Sequence, residues 1–543
     1  MPAVSEILTA TLKKAGVRLV FGIPSIHNIP LYEALQKEPA LRHILCRQET
    51  TACHMADGFA RAMWNRRQAD GVPGVVIAST GPGTGYLVPA VQEAFGSSSP
   101  LLVVTTNVPA ENIGKGSGAL HEFDDQDALF RSITKKTICV RSADTVETDT
   151  ADALSTALSG RPGPVYLEIP VDIQGKSVHE RAVPPEAVDT GIRSPNGIDD
   201  AVTLLERARR PLIIAGNAAL RAGLSEEIRT LAEILCAPVI TTTQAKGILA
   251  EDSRLSFGNV AQKGVVREMA ETSDLAVAIG TRLREADGKR RGLKLPELIH
   301  IDWDDTWMNR NYPAAVALTG DIRAILSEIT KKIEPDRIED KNTRIDRFVK
   351  KRTEALRQAG KADIELQYVN AIRSAVPRDG VLVTDNTQLG YWCEYFYSSY
   401  RPGGIVSAKG SSPIGFAFPA AIGARIARPE ESVVALIGDG GFLYCAQELA
   451  TCVRYDIGFP LIVVNDNAFG VIRYLQEKAY GRAWESDLTN PDFVALAKSF
   501  GVDAVRVATP SGLQDALQEA ILSGKMCLIE LQAAFPEPAF ARY

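Results

Sequence analysis

The residues best placed for chemistry lie between Gly438 and Gly470. Gly438-Asp439-Gly440-Gly441 follows an apolar run, Val433 to Ile437, that reads as a buried strand. A second apolar run, Leu461 to Val464, ends at Asn465-Asp466-Asn467. Between them Leu443, Ala446, Leu449, Ala450 and Val453 recur at spacings of three and four, which predicts a helix with these side chains on its buried face. Two parallel strands thus deliver carboxylate and amide oxygens at their carboxyl ends, where a doubly wound sheet binds ligands. Glycines let the backbone approach a bulky anion, and a helix amino terminus offers unpaired N–H groups to phosphate. Asp439 repels phosphate, so a hard cation between the two is the natural arrangement. Mg2+ takes oxygen ligands in octahedral geometry and bridges carboxylates to phosphates. Asp466, with one backbone carbonyl beyond it, completes such a cage.

The chain that positions these residues has 543 residues, enough for three domains. With 45% hydrophobic and 23% charged residues its composition is that of an ordinary globular protein. A net charge of −6 argues against a nucleic-acid surface, and no apolar run is as long as a membrane span. The amino terminus, Met1 to Gly16, reads as an amphipathic helix and not as a signal peptide. Eight cysteines are scattered without a Cys-x-x-Cys pair, so a reducing cytoplasm is expected.

Strand and helix patterns alternate throughout. In the first third, strands are expected at Val17 to Phe21, Ile44 to Cys46, Val75 to Ala78, Leu101 to Thr105 and 164–169, with helices from about Glu49, at Tyr86 to Phe95 and at 144–158. Residues Gln174 to Pro195 read as a linker. A helix at 199–209 and strands at Leu212 to Ala215, Val239-Ile240, Leu275 to Ile279 and Leu298 to Ile301 mark a middle α/β unit. Lys331 to Asp363 is charge-rich and reads as a solvated helix and linker. The last unit opens near Leu366. Its strand Val381 to Thr384 ends at Asp385-Asn386-Thr387-Gln388, and a Gly-rich loop, Ala408 to Ala424, leads into a helix. Asn490 reads as the N-cap of a late helix, and the tail Phe535 to Tyr543 as a possible cover for the site. The fold class expected is α/β, three doubly wound parallel-sheet domains at 1–173, 190–330 and 364–543.

Glu49 stands at a strand-to-helix junction. A first-turn glutamate complements the helix dipole, and a carboxyl in an apolar pocket also works as a proton-sharing acid with a raised pKa. Both readings fit its position.

The GDG motif, followed after about 25 residues by Asn-Asp, resembles the signature of thiamine diphosphate (ThDP) enzymes. RQETTACHMADGFAR, from Arg47 to Arg61, resembles a second stretch of that family, and Val20 to Leu35 and Ser79 to Phe95 are similar to its FGxPG and GPG segments. The resemblance covers essentially the whole chain and lies in the branch of pyruvate oxidase, acetolactate synthase and 2-oxo acid decarboxylases. It implies ThDP and Mg2+ as cofactors, with metal ligands at Asp439, Asp466 and the carbonyl of Ala468. It implies cofactor contacts from Gly81, Pro82, Gly83, Gly438, Gly440, Gly441, Phe469 and Gly470. Glu49 is implied as the acid that hydrogen-bonds the aminopyrimidine. Ile414 is implied as the aliphatic wedge that bends the cofactor, although a buried core isoleucine fits the same pattern. Flavin, which some relatives hold in the middle domain, is admitted but not favoured, since no GxGxxG is present. A homodimer or homotetramer with the site at the subunit interface is implied.

Three departures stand out. Tyr86 stands near where Asn is usual, Gly441 where Ser or Ala is common, and Asp466 where Asn is common; a second carboxylate is expected to strengthen metal dependence. For substrate protons the candidates are His27, His121 and Gln388. Decarboxylases of this kind often carry a His-His pair where this chain has His121-Glu122. The expected activity is decarboxylation of a 2-oxo acid with carboligation, acetolactate synthase-like. The alternatives are a non-ligating decarboxylase, for example of guanidino-oxopentanoate, and a non-catalytic paralogue, which would be expected to lose Glu49 or Asp439. A nicotinamide dehydrogenase would need the missing GxGxxG.

Overall fold

In the computed structural model the described residues are 1–64, 71–178, 197–334 and 341–543. Each third of the chain lays down one six-stranded parallel sheet. The first contains β1 (Leu19–Gly22), β2 (Arg42–Leu45), β3 (Gly74–Ala78), β4 (Leu101–Asn107), β5 (Lys136–Cys139) and β6 (Val165–Pro170), in the order β2-β1-β3-β4-β6-β5. The second contains β7 (Pro211–Ala215), β8 (Val239–Thr241), β9 (Ser256–Asn259), β10 (Leu275–Ile279), β11 (Glu297–Asp302) and β12 (Val316–Thr319), in the order β12-β11-β10-β7-β8-β9. The third contains β13 (Val381–Thr384), β14 (Ile405–Ser407), β15 (Val433–Gly438), β16 (Pro460–Asn465), β17 (Asp503–Val507) and β18 (Cys527–Gln532), in the order β14-β13-β15-β16-β18-β17. The three doubly wound domains expected from the alternation are therefore present. Helices cover both faces, which is why the central strands read as unbroken apolar runs.

The first and third domains meet through two helices, Glu49–Trp64 and Ala417–Ala427. Their sequences are rich in small residues, and Ala52, Ala56, Ala60, Ala420 and Ala421 are fully buried. A Cβ on Gly58 would overlap the Ala420 carbonyl, and one on Gly423 the Met55 carbonyl. The two backbones therefore touch, and Glu49 is held at the start of a helix clamped along its length.

This clamp also buries His54, whose ring lies 5.2 Å edge-on from Phe416. Burial, with smaller opposing effects from Asp57 and Glu93, pushes His54 down to about 4. The unfolded chain binds this proton near pH 6.5, so stability falls as pH drops from 6.5 towards 4. At pH 5 the loss relative to pH 8 should be about 2 kcal/mol. Urea midpoints at the two pH values should show it, and His54→Gln should flatten the dependence; equal dependence in both proteins would show that His54 is not the group.

Three expectations are corrected. The helix expected after Gly441 is broken into Asp439–Phe442, a turn at Ala446–Glu448, and Leu449–Tyr455. The break rotates the register, so Leu443 and Val453 are 44% and 49% exposed while Phe442, Cys445 and Cys452 face the core. The expected linker begins as structure: Ser177 bridges Ala3, and Gln174 and Val178 are buried against the first helix; its remainder, 179–195, lies outside the described residues. The charge-rich stretch carries a 22-residue helix, Lys341–Ala362, that sends Ile345 and Phe348 into the middle-domain core; residues 335–340 lie outside the described residues. The helix expected at Tyr86 to Phe95 is present at Val88–Gly96, behind a separate short helix at Pro82–Gly85.

Candidate active site

The chain reverses direction across the third sheet between β13 and β15, and ligands of doubly wound sheets bind at such a point. Asp439 follows β15 directly and is 2% exposed. Its Oδ1 accepts the Gly440 N–H at 2.8 Å, and its Oδ2 accepts from the Asn490 amide at 2.7 Å. Burial raises its pKa, against the pull of these donors. Asp466 follows β16, its carboxylate packed so closely on Gly470 that a Cβ there would overlap it. Burial, and then the charge of Asp439, push Asp466 up to about 6. Two carboxylates are thus held beside one another, partly buried, against their own repulsion.

Asn490 is the residue that sequence reading missed. It was expected to cap the Phe493–Ser499 helix, but Asp492 does so, accepting the Ala495 N–H at 3.0 Å. Asn490 Nδ2 instead sits among Asp439 Oδ2, Asn465 Oδ1 at 3.1 Å and Asn467 Oδ1 at 3.3 Å. Asn465 is turned this way because its own amide donates to Glu530 at 2.8 Å. The Asn490 oxygen is buried without a partner among the described residues. Three oxygens therefore surround the Asn490 amide nitrogen at the carboxyl ends of β15 and β16, and oxygens of this kind are the ligands a hard cation such as Mg2+ takes. Among the described residues no three His, Cys, Asp or Glu side chains gather as a metal cluster. Since outer partners of metal ligands typically matter 10–100-fold in affinity, Asn490→Ala should weaken Mg2+ binding by about that factor, measured by calorimetry in the presence of ThDP.

The other expected contacts surround this point. Gly440 and Gly441 are buried in the Asp439–Phe442 turn, and a Cβ on Gly440 would meet the Phe469 ring. Ala468 bridges Asp487, and the Phe469 N–H donates to the Ser486 carbonyl at 2.8 Å. Gln388 donates to the Gly470 carbonyl at 3.2 Å and has a buried, unpartnered Oε1 among the described residues. Gln388 therefore lies beside Asp466 at Gly470, and among the described residues no hydrogen bond joins it to either histidine. The tail packs along the helix that begins at Gln388, where Trp392 donates to the Glu537 carbonyl at 3.0 Å.

Ile414 is half-buried on a loop fixed from both sides. The buried Asp385 accepts the Ala417 N–H at 2.9 Å, and Asn386 donates to the carbonyls of Ser412 and Pro413. Upstream, Glu93 accepts N–H groups of Lys409 to Ser412 and pairs with Arg61 at 3.0 Å. Burial opposes its ionisation, but Arg61 and these donors hold its pKa below the ordinary value.

In the first domain, the Glu49 carboxylate lies against Gly83, 3.1 Å from where a Cβ would sit. Burial raises its pKa. Pro82 is exposed on the same turn. Gly81, with φ +65°, passes so close to the His121 backbone that no side chain fits. The His27 and His121 rings are 4.9 Å apart. The histidine pair that the sequence lacks in tandem is thus assembled in space, from the loops after β1 and β4. Burial, then the His121 charge, lower the His27 pKa. Among the described residues no hydrogen bond or ion pair joins Glu49 or the histidines to Asp439.

In the middle domain a cavity of about 40 Å3 opens at the β7/β10 reversal, lined by Arg161, Asn217, Thr242, Gln244, Arg282 and Asp302 among others.

Three parallel-sheet domains, a half-buried glutamate in the first and a Gly-Asp-Gly-Gly carboxylate turn in the third define the class of thiamine-dependent enzymes. Family models agree: thiamine pyrophosphate enzyme, N-terminal TPP binding domain at residues 2–129, central domain at 198–329, and C-terminal TPP binding domain at 385–531. The chain belongs to this family and is a ThDP-dependent carboligase or decarboxylase. It is 33% identical to a probable acetolactate synthase large subunit of Methanocaldococcus jannaschii, over 97% of this chain and 91% of that one. It is 34% identical to a probable 2-ketoarginine decarboxylase of Pseudomonas aeruginosa, over 97% and 94%. It is 29% identical to the acetolactate synthase isozyme 1 large subunit of Escherichia coli, over 99% and 95%.

Proposed function

We propose that this protein decarboxylates a 2-oxo acid and ligates the product to a second carbonyl compound, as an acetolactate synthase-like enzyme dependent on ThDP and Mg2+. The observation that carries the reading is that Asp439 and Asp466 stand at the carboxyl ends of the adjacent strands β15 and β16, close enough for the charge of Asp439 to raise the pKa of Asp466. Asp439, Asp466 and the Ala468 carbonyl would hold Mg2+ and, through it, the diphosphate, with Gly438, Gly440, Gly441, Phe469 and Gly470 shaping the cradle. Bound ThDP supplies an electron sink for the carboxylate-bearing carbon. Glu49, its pKa raised by burial, shares a proton with the pyrimidine beside the Gly81-Pro82-Gly83 turn. Ile414 gives an apolar support on its braced loop. His27 and His121 hold and return substrate protons, and Gln388 orients the substrate end nearest Gly470.

A partner copy completes the site in this reading, as a homodimer or homotetramer. Its support is the exposed apolar surface around the turn, where Leu443, Tyr444, Ile472 and Trp484 are all at least 44% exposed. The cysteines are all free, which suits the cytoplasm. Among the described residues no helix is long and apolar enough to cross a membrane. Flavin is not favoured, since no GxGxxG is present. The domain limits proposed are 1–173, 190–330 and 364–543, with the helix Lys341–Ala362 packed on the middle domain.

The 2-ketoarginine decarboxylase relative, together with the spatial histidine pair, supports non-ligating decarboxylation of a guanidino 2-oxo acid as the second reading. The purified protein with ThDP and Mg2+ should release CO2 from pyruvate and form acetolactate. Release of CO2 from 5-guanidino-2-oxopentanoate alone, without ligation, selects the second reading. No CO2 from pyruvate, branched 2-oxo acids or the guanidino acid overturns both.

A further inference from the structure

Glu448 lies in the turn Ala446–Glu448, on the segment that begins with Asp439. It is 0% exposed, a carboxylate with no contact to water. Three donors hold it. Oε1 accepts the Arg47 backbone N–H at 3.0 Å and the Thr51 hydroxyl at 2.5 Å, and Oε2 accepts the Thr451 hydroxyl at 2.5 Å. Arg47 and Thr51 flank Glu49 by two residues on either side. The neighbouring Leu45 is held from the same helix, its N–H donating to the Tyr455 hydroxyl at 2.9 Å.

An apolar side chain of similar volume would fill this place without the desolvation cost of a buried carboxylate. What an apolar side chain cannot supply is the acceptor Oε1, which alone fixes both the Arg47 backbone and the Thr51 side chain. Burial raises the pKa of Glu448, and its donors Thr451, Thr51 and Arg47 oppose that rise. The stretch from Asp439 to Glu448 therefore carries the carboxylate of the metal-site turn at one end and the anchor of the Glu49 turn at the other.

We infer that Glu448 is a positioning residue for Glu49: it clamps the Arg47–Thr51 turn from the third domain and so keeps the Glu49 carboxyl at the Gly83 backbone. The inference rests on the reading of Glu49 as the acid that serves the ThDP aminopyrimidine. Glu448 touches neither cofactor nor substrate in this role. Its loss is expected to spare ThDP affinity and to slow only what depends on the placement of Glu49.

The test uses the full-length protein loaded with ThDP and Mg2+, and reads three quantities: the ThDP dissociation constant by calorimetry, the near-ultraviolet circular dichroism of the bound aminopyrimidine, and deuterium exchange at its thiazolium C2. Glu448→Ala should leave the dissociation constant within about 5-fold while exchange slows by about 10- to 100-fold and the dichroic signal of the pyrimidine changes, since misplacement by about 1 Å costs this much. Glu448→Gln still accepts from Arg47 and Thr51 and should stay within about 3-fold of the parent. Parental exchange in Glu448→Ala, or equal slowing in Glu448→Gln, overturns the inference. If Glu448→Ala does not fold, Glu448→Met, which keeps the length and removes the acceptor, carries the test: slower exchange supports the clamp and unchanged exchange overturns it. Glu49→Gln is measured alongside. Parental exchange in that variant shows that the reading of Glu49 itself is wrong, a failure distinct from that of Glu448 alone.

Discussion

Asp439→Asn should abolish Mg2+-dependent uptake of ThDP. The side chain is 2% exposed, and both of its oxygens already accept hydrogen bonds, from the Gly440 N–H and from Asn490. An amide at this position has one acceptor oxygen. Its NH2 group would face either the Gly440 N–H or the Asn490 amide, donor against donor. The cation would also lose one of two carboxylates. Loss of an outer partner of a metal ligand typically costs 10- to 100-fold, so loss of the carboxylate itself should cost at least about 100-fold in ThDP affinity with Mg2+ present. The fold should survive, because burial disfavours the charged form that the substitution removes. Calorimetric titration with and without Mg2+, beside a thermal melt, checks this. Affinity within about threefold of the parent, in a folded protein, would mean that the metal site lies elsewhere.

Glu49→Gln should leave ThDP bound and stop most of the turnover. The carboxyl packs on the Gly83 backbone, and burial raises its pKa, so it holds a proton more readily than an exposed glutamate. Glutamine keeps the size and a hydrogen-bond donor but exchanges no proton. Groups that transfer protons in this way typically contribute 10²- to 10⁴-fold, and a loss of CO2 release in that range is expected at saturating ThDP. Affinity for ThDP should change by less than about tenfold, because in the proposed reading the diphosphate is held from the third domain. A variant with parental turnover would remove Glu49 from the chemistry. A variant that no longer binds ThDP would make it an anchor.

Much of the fold was legible because the central strands announce themselves. β15 and β16 are fully apolar runs ending in the carboxylates they present, and β3, β4, β7 and β10 read the same way. The strands that went unread, β5, β9, β12 and β14, are all sheet edges. Each is only three or four residues long, too short for an apolar run to stand out from a loop. The misread stripe after Gly441 has a different cause. Spacings of three and four predict one face only while the helix stays continuous, and the turn at Ala446–Glu448 interrupts it.

By itself the sequence determined the class of chemistry: a glycine turn with a carboxylate after one strand, an acidic-amide pair after the next, and a glutamate at a distant helix start. Residue types and local periodicity carry that much, because each depends on neighbours within a few positions. Only the tertiary structure decided what depends on distant partners. It moved Asn490 from a helix cap to the carboxylate pair, because Asp492 already caps that helix and leaves the Asn490 amide free to turn inward. It set His27 against His121 from loops after different strands. It buried Glu448 between Arg47, Thr51 and Thr451, joining the segment of Asp439 to that of Glu49. The physical reason is the same in each case: a polar side chain taken out of water settles wherever the folded chain offers it a partner, and chain spacing carries no record of where that partner stands.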